Sequence, residues 1–102
     1  MTRLIVLFNL KPGIDVNHYE TWARQVDLPT VHGLKSIQGF DIFRSVSLLG
    51  SAAPPPYQYI EIIDVKDMAE FGAEIATDTM GRVAAEFAAF ADATFILTER
   101  LD

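Results

Sequence analysis

Glu86, His18 and Glu61 are the side chains in this sequence best placed to move a proton. Glu86 lies in Val83-Ala-Ala-Glu-Phe87, at helical spacing from Val83 and Phe90. A carboxyl facing a gap between a helix and a sheet has a raised pKa and suits acid–base work. On a solvated face it would pair with Arg82 four residues earlier instead, and the spacing leaves both readings open. His18 stands one turn before Trp22. At a pocket edge its imidazole could carry a proton near neutral pH; at a surface it would carry nothing. We take Glu86 and His18 as the acid–base candidates.

Glu61 interrupts the apolar run Ile60-Glu61-Ile62-Ile63. An unpaired carboxylate there is costly, so a partner is expected. Arg44, on the neighbouring strand of a presumed hairpin, predicts a cross-strand ion pair, and both could also anchor a ligand. Asn9, the one polar residue in Leu4-Ile-Val-Leu-Phe-Asn-Leu10, is a further anchor or a strand end. Trp22 and Tyr59, with Tyr57 and Phe43, offer flat walls of the kind an aromatic ligand needs, although most such residues are simply core. Asp27 reads as a helix cap. Lys35 reads as a solvated strand-end lysine rather than a Schiff-base former.

Much chemistry is excluded. His18 and His32 are the only histidines and fall on different elements, without HxH or HExxH spacing, so no metal is expected. The absence of cysteine removes disulfides, zinc–thiolate sites and thiol nucleophiles, and fits a cytoplasmic chain. Ser45, Ser47 and Ser51 lack a nucleophile elbow. The six glycines form no phosphate loop, so no flavin, nicotinamide or other cofactor is expected. A net charge of −6, with eight scattered basic residues, opposes nucleic-acid binding and favours solubility. No apolar run approaches the roughly 18 residues of a membrane span. The apolar start breaks at Asn9, Lys11 and Pro12, which reads as a first strand and not a signal peptide.

These side chains must be positioned by a single domain, residues 1–102. Residues 3–10 predict a strand. Tyr19, Trp22, Ala23 and Val26 form the apolar side of a helix over about 15–26, with Glu20 and Arg24 opposite. Leu28-Pro29 ends it, and a short helix follows that Asp27 caps and Gly33 closes. Residues 35–48 read as a strand with a bulge near Gly39. A proline loop, 50–56, leads to a strand over 57–65. Asp67 opens a helix carrying Met68, Phe71 and Ile75; Thr77-Asp78-Thr79 re-caps a second one carrying Met80, Val83, Phe87 and Phe90. Residues 95–101 read as the last strand.

The order β-α-β-β-α-β is the α+β ferredoxin-like arrangement, a four-stranded antiparallel sheet with helices on one face. The first strand is apolar at odd and even positions alike, so its other face needs cover too. A second copy of the sheet is the simplest candidate, which predicts a homodimeric α/β barrel.

A narrower resemblance runs through Tyr19-Glu-Thr-Trp-Ala-Arg-Gln-Val-Asp-Leu-Pro-Thr-Val-His-Gly-Leu-Lys-Ser36, Ser47-Leu-Leu-Gly50, Pro56-Tyr57, Phe71-Gly72 and Val83-Ala-Ala-Glu-Phe87. Together these resemble the REDY-like family, small proteins encoded among biosynthesis genes for prodiginine (prodigiosin-type) tripyrrole pigments. The resemblance implies a dimeric α/β barrel and a part in making such an antibiotic pigment, on the bipyrrole branch. It brings no catalytic residue by motif.

The combined expectation is a cofactor-independent tailoring protein. It would act on a small aromatic or pyrrolic intermediate by proton transfer: cyclisation, isomerisation, dehydration or cofactor-free oxidation. Glu86 and His18 would be catalytic; Asn9, Trp22, Tyr59, Glu61 and Arg44 would bind the ligand. The alternative is a non-catalytic binding or chaperone module for an intermediate or a neighbouring enzyme. An effector-binding regulatory domain is a third class, one that needs an output partner.

Overall fold

The computed structural model describes all residues 1–102. The chain runs β1 (Thr2–Leu10), α1 (Val16–Trp22), a π-turn (Ala23–Asp27), α2 (Leu28–His32), β2 (Ile37–Arg44), β3 (Tyr59–Val65), α3 (Met68–Ile75), α4 (Asp78–Phe90) and β4 (Ala91–Thr98). The strands form one sheet in the order β2-β3-β1-β4, each neighbouring pair antiparallel. This is the expected α+β ferredoxin-like fold.

Strand alternation sorts the side chains. Leu4, Val6 and Phe8 of β1 are buried under the helices, as are Tyr59, Glu61, Ile63 and Val65 of β3. The intervening Ile5, Leu7, Ile60 and Ile62 face the other way, with Phe43 and Ile96 beside them in register. Phe43 and Ile96 are 50% and 41% exposed, so this second face is apolar and uncovered in the single chain. Arg3 and Asp64 pair at its edge at 2.8 Å.

The helix-side core centres on Phe8, which is fully buried. Its ring stacks on Tyr59 at 5.3 Å and meets Tyr19 and Phe87 edge-on at 5.6 and 5.0 Å. Local signals close the helices. Asp15 accepts from the Asn17 N–H, Asp67 from Ala69 and Glu70, and Thr77 from Met80. Gly13, at φ 86°, makes the turn out of β1. The bulge expected at Gly39 appears as a register shift between Ile37 and Gly39.

Several strand boundaries differ from the sequence reading, β3 among them, which starts at Tyr59 and not at Tyr57. β2 stops at Arg44, because only Ser45, donating to the Gln58 carbonyl, still meets the returning chain before the proline loop diverges. β4 begins at Ala91 and ends at Thr98, not at 95–101. Ala91 turns directly from helical to extended backbone, and the Lys11 N–H donates to the Phe90 carbonyl at the junction. The alanines of 88–93 favour helix by propensity; pairing with Leu10 and Phe8 overrides it.

Phe8 joins sheet and helices, so Phe8→Ala should cost about 3–5 kcal/mol. Denaturant unfolding of both proteins measures it, and a loss below about 1 kcal/mol would mean that the aromatic cluster re-packs.

Candidate functional site

Between the sheet and α3 and α4 lies a cavity of about 310 Å³. Eleven of its thirteen lining residues are hydrophobic, among them Phe40, Phe71, Val83, Phe87 and Phe95. The other two are Asp27 and Glu61.

β3 places Glu61. It shares the helix-covered face with Tyr59 and Ile63, and its cross-strand neighbours are Val6 and Ile42. It is 4% exposed, and its Oε2 has no hydrogen-bond partner. Burial first, then the nearby Asp27 charge, push its pKa up to about 8.

The π-turn places Asp27. Along the helical segment Tyr19, Ala23, Asp27 and Val31, each four residues on, form a buried line, with Glu20 buried beside it. In an α-helix every four-residue step drifts by about 40°. The wider turn at Ala23–Asp27, closed by the Leu28 N–H on the Ala23 carbonyl, opposes that drift and keeps the four in line. The turn also tolerates Pro29, which has no N–H to give. Asp27 is 6% exposed, makes no cap hydrogen bond, and is raised by burial to about 6. The expected capping role therefore fails: Asp27 has helical backbone angles of φ −65° and ψ −57°, whereas a cap needs extended ones. Tyr19, fully buried with an unpartnered hydroxyl, lies close enough that burial and the charges of Glu61 and Asp27 raise its pKa far above the ordinary range.

Arg44 does not pair with Glu61. It donates twice to Glu20 of α1, at 2.8 and 2.7 Å, and Tyr59 Oη donates to the same carboxylate at 2.7 Å. Arg24 adds a fourth bond at 3.3 Å. Register explains the choice. Arg44 lies opposite Tyr59, at the end of β2, and Glu61 lies opposite Ile42. Reaching Glu20 leaves the guanidinium largely in water, with its side chain 60% exposed; reaching Glu61 would bury it. Glu20, expected on the solvent side, is thus buried, and these hydrogen bonds hold its pKa down to about 2.

Glu86 and His18 do not reach the cavity. Glu86 is exposed and accepts from the Trp22 indole N–H at 2.9 Å, tying α4 to α1; it forms no ion pair with Arg82. His18 is exposed, with its ring edge-on to Phe90 at 5.3 Å. Trp22 stacks on Phe87 outside the cavity lining, and Tyr59 lines a separate cleft of about 180 Å³ with Glu20 and Arg44. Asn9 fixes the proline loop, donating to the Pro56 carbonyl and accepting from the Gln58 N–H. The expected convergence of His18, Glu86, Trp22 and Tyr59 on one cavity is therefore not what the fold builds. Of the expected set only Glu61 lines it. Asp27 was missed as a site residue, although its place in the four-residue buried spacing 19-23-27-31 was the signal that could have found it.

No group of three or more His, Asp or Glu side chains is arranged to hold a metal, and no helix is long and apolar enough to cross a membrane.

The sequence model for the REDY-like protein HapK matches residues 2–101. Among solved structures, HapK from Hahella chejuensis superposes with a TM-score of 0.81 at 29% identity, covering 99% of this chain and 93% of that one. A dimeric ferredoxin-like protein of unknown function from Thermobifida fusca superposes at 0.74, with 15% identity and 97% and 90% coverage. SnoaB, a cofactor-independent oxygenase from Streptomyces nogalater, superposes at 0.75, with 13% identity and 99% and 93% coverage. At those last two identities the likeness is one of fold. No curated protein matches the chain.

The two cavity carboxyls make stability depend on pH. Their folded pKa values lie above the ordinary 4.5 for Glu61 and 3.8 for Asp27. Their contribution is thus fully present below those ordinary values and is lost as pH rises through about 6 and about 8. Glu20 acts oppositely: its contribution holds above 4.5 and is lost as pH falls toward about 2. Glu61→Gln should therefore melt higher than the parent above about pH 8 and close to it near about pH 5. Thermal melts across that range test it; a variant uniformly less stable would mean that the carboxylate has a partner.

Proposed function

We propose that this chain, which belongs to the REDY-like HapK family, is a small-molecule tailoring protein of secondary metabolism that moves protons on a ligand held between Asp27 and Glu61. The observation that carries the reading is the pair itself. Two carboxyls, each more than nine-tenths buried, line an apolar cavity without a cationic partner. A fold gains nothing from carboxyls buried this way, whereas proton transfer needs groups of this kind.

Their environments divide the labour. With Glu61 near 8 and Asp27 near 6, neutral pH leaves Glu61 mostly protonated and Asp27 mostly ionised. Asp27 can then take a proton from the ligand while Glu61 gives one, and the flat apolar walls orient an aromatic or pyrrolic body. Cyclisation, isomerisation and dehydration fit this arrangement directly; a cofactor-free oxidation would also need dioxygen as the electron acceptor, with the carboxyls supplying only the proton transfers. One structural relative is described as a cofactor-independent oxygenase, and chemistry without a cofactor is our reading here. The family's association with prodiginine genes supports the bipyrrole branch of such a pigment, and the lack of cysteine supports a cytoplasmic setting.

A second reading has its own observation. The cavity holds no third polar side chain, so the two carboxyls could grip N–H groups without transforming the ligand. The protein would then be a carrier for a reactive intermediate. Turnover of candidate pyrrolic and bipyrrolic intermediates by the purified protein separates the two. Glu61→Gln and Asp27→Asn should each lower turnover by about 10²-fold or more while leaving the fold intact. Full activity in both variants would sink the acid–base assignment; ligand binding without turnover in the parent would establish the carrier.

The assembly we propose is a homodimer with the uncovered sheet faces together, since Ile5, Leu7, Phe43, Ile60, Ile62 and Ile96 form the apolar surface. A structural neighbour described as dimeric supports it. Light scattering at micromolar concentration should give twice the chain mass of 11.3 kDa; a stable monomer there would refute it.

A further inference from the structure

We infer that the cavity selects its ligand by charge, accepting a flat aromatic body that carries a cationic N–H fork and refusing the carboxylate of the same shape. This rests on the reading of the cavity as a binding site, but on no turnover. The polar inventory is one-sided: Asp27 and Glu61 line the cavity, and no lysine, arginine or histidine does. Arg44 of β2 and Arg24 of the π-turn are held by Glu20 instead. Glu61 Oε2 is a buried acceptor with no donor. Such an atom costs stability until something donates to it. A planar pair of N–H groups matches a carboxylate two-to-two, and a positive charge strengthens both bonds. The rings of Phe40, Phe71 and Phe87 supply apolar walls for a flat body, and their faces attract a cation. An anionic ligand would lose its hydration and meet only carboxyls.

The cation should also change the site's protonation. Among the elements packed around Glu61, the titratable group that acts on it is Asp27 from the π-turn; Tyr19 from α1, itself raised by burial and by the Glu61 charge, stays neutral over this range. The cavity residues from α2, α3, α4, β1, β2 and β4 are all apolar. A bound cation favours the ionised Glu61, so affinity for it should rise with pH until the free carboxyl ionises unaided, at about 8.

Benzamidine, benzamide and benzoate share one shape with cationic, neutral and anionic heads. Calorimetric titration of each into the intact protein reads the selectivity directly. Benzamidine should bind about tenfold or more tighter than benzamide, and benzoate should not bind. The benzamidine affinity should rise between about pH 6 and about pH 8 and lose its advantage over benzamide in Glu61→Gln. If that variant does not fold, Asp27→Asn and the pH series on the parent protein make the same test. Equal binding of benzoate, an advantage that survives Glu61→Gln, or no binding of any of the three at millimolar concentration overturns the inference. A protein that turns over a pyrrolic substrate yet ignores head-group charge would refute this selectivity and leave the proton-transfer reading standing; the charge order without turnover would do the reverse.

Discussion

Glu61 is inside because its neighbours are. Tyr59, Ile63 and Val65 must face the helices to fill the core, and strand alternation carries the residue midway between Tyr59 and Ile63 to the same face. A one-residue slip would rescue the carboxylate but turn Tyr59, Ile63 and Val65 outward and Ile60 and Ile62 inward, losing the aromatic hub of Phe8, Tyr19 and Tyr59. The sheet therefore fixes a buried acid at its centre, and the surrounding helices must tolerate it. They do so with space: an apolar cavity lies over it, and the only other polar side chain lining that cavity is a second acid.

Three buried carboxylates show how differently the same group can be treated. Glu20 lies near the edge of β2, where Arg44 and Arg24 can reach it from water and Tyr59 from within. It stays charged at almost any pH, and its role is to clamp α1 to the sheet. Glu61 and Asp27 lie one layer deeper, where a cation would have to be desolvated to follow them. They remain unpaired, and neutralisation by proton uptake is the cheaper route. Since Glu20 occupies Arg44, the local charge is divided so that the clamp is saturated and the cavity is left acidic. Arg44 at the end of β2 thus shapes the cavity by its absence from it.

The sequence made the sheet legible because period-two and helical patterns are local. β1 with two apolar faces, the bulge at Gly39 and the caps Asp15, Asp67 and Thr77 are all written within a few residues. The oddity of Glu61 was equally visible, since one acid stands in an apolar strand. Its partner was not, because pairing depends on register across the hairpin and on a third element, α1, that sequence adjacency does not reveal. Asp27 was hidden by Pro29: a proline following an acid reads as a helix start, and the π-turn that keeps the helix going has no local signature. Glu86 illustrates the reverse error. Its spacing beside the α4 stripe was read correctly, but Trp22, from a helix sixty-four residues away in sequence, claims the carboxylate.

The structural likenesses below 25% identity bring a scaffold and no chemistry. The chemistry we propose for this chain lies in one cavity, and it follows from depth. Two neighbouring acids in equal surroundings would also lose their protons in two steps, but either one could hold the proton left between them. Here burial raises both, Glu61 further, so of the coupled pair Asp27 ionises first and Glu61 keeps its proton to higher pH. The inequality separates their protonation near neutral pH, so one site presents a proton and a vacant lone pair at once. A strand parity and a widened helical turn are enough to build it.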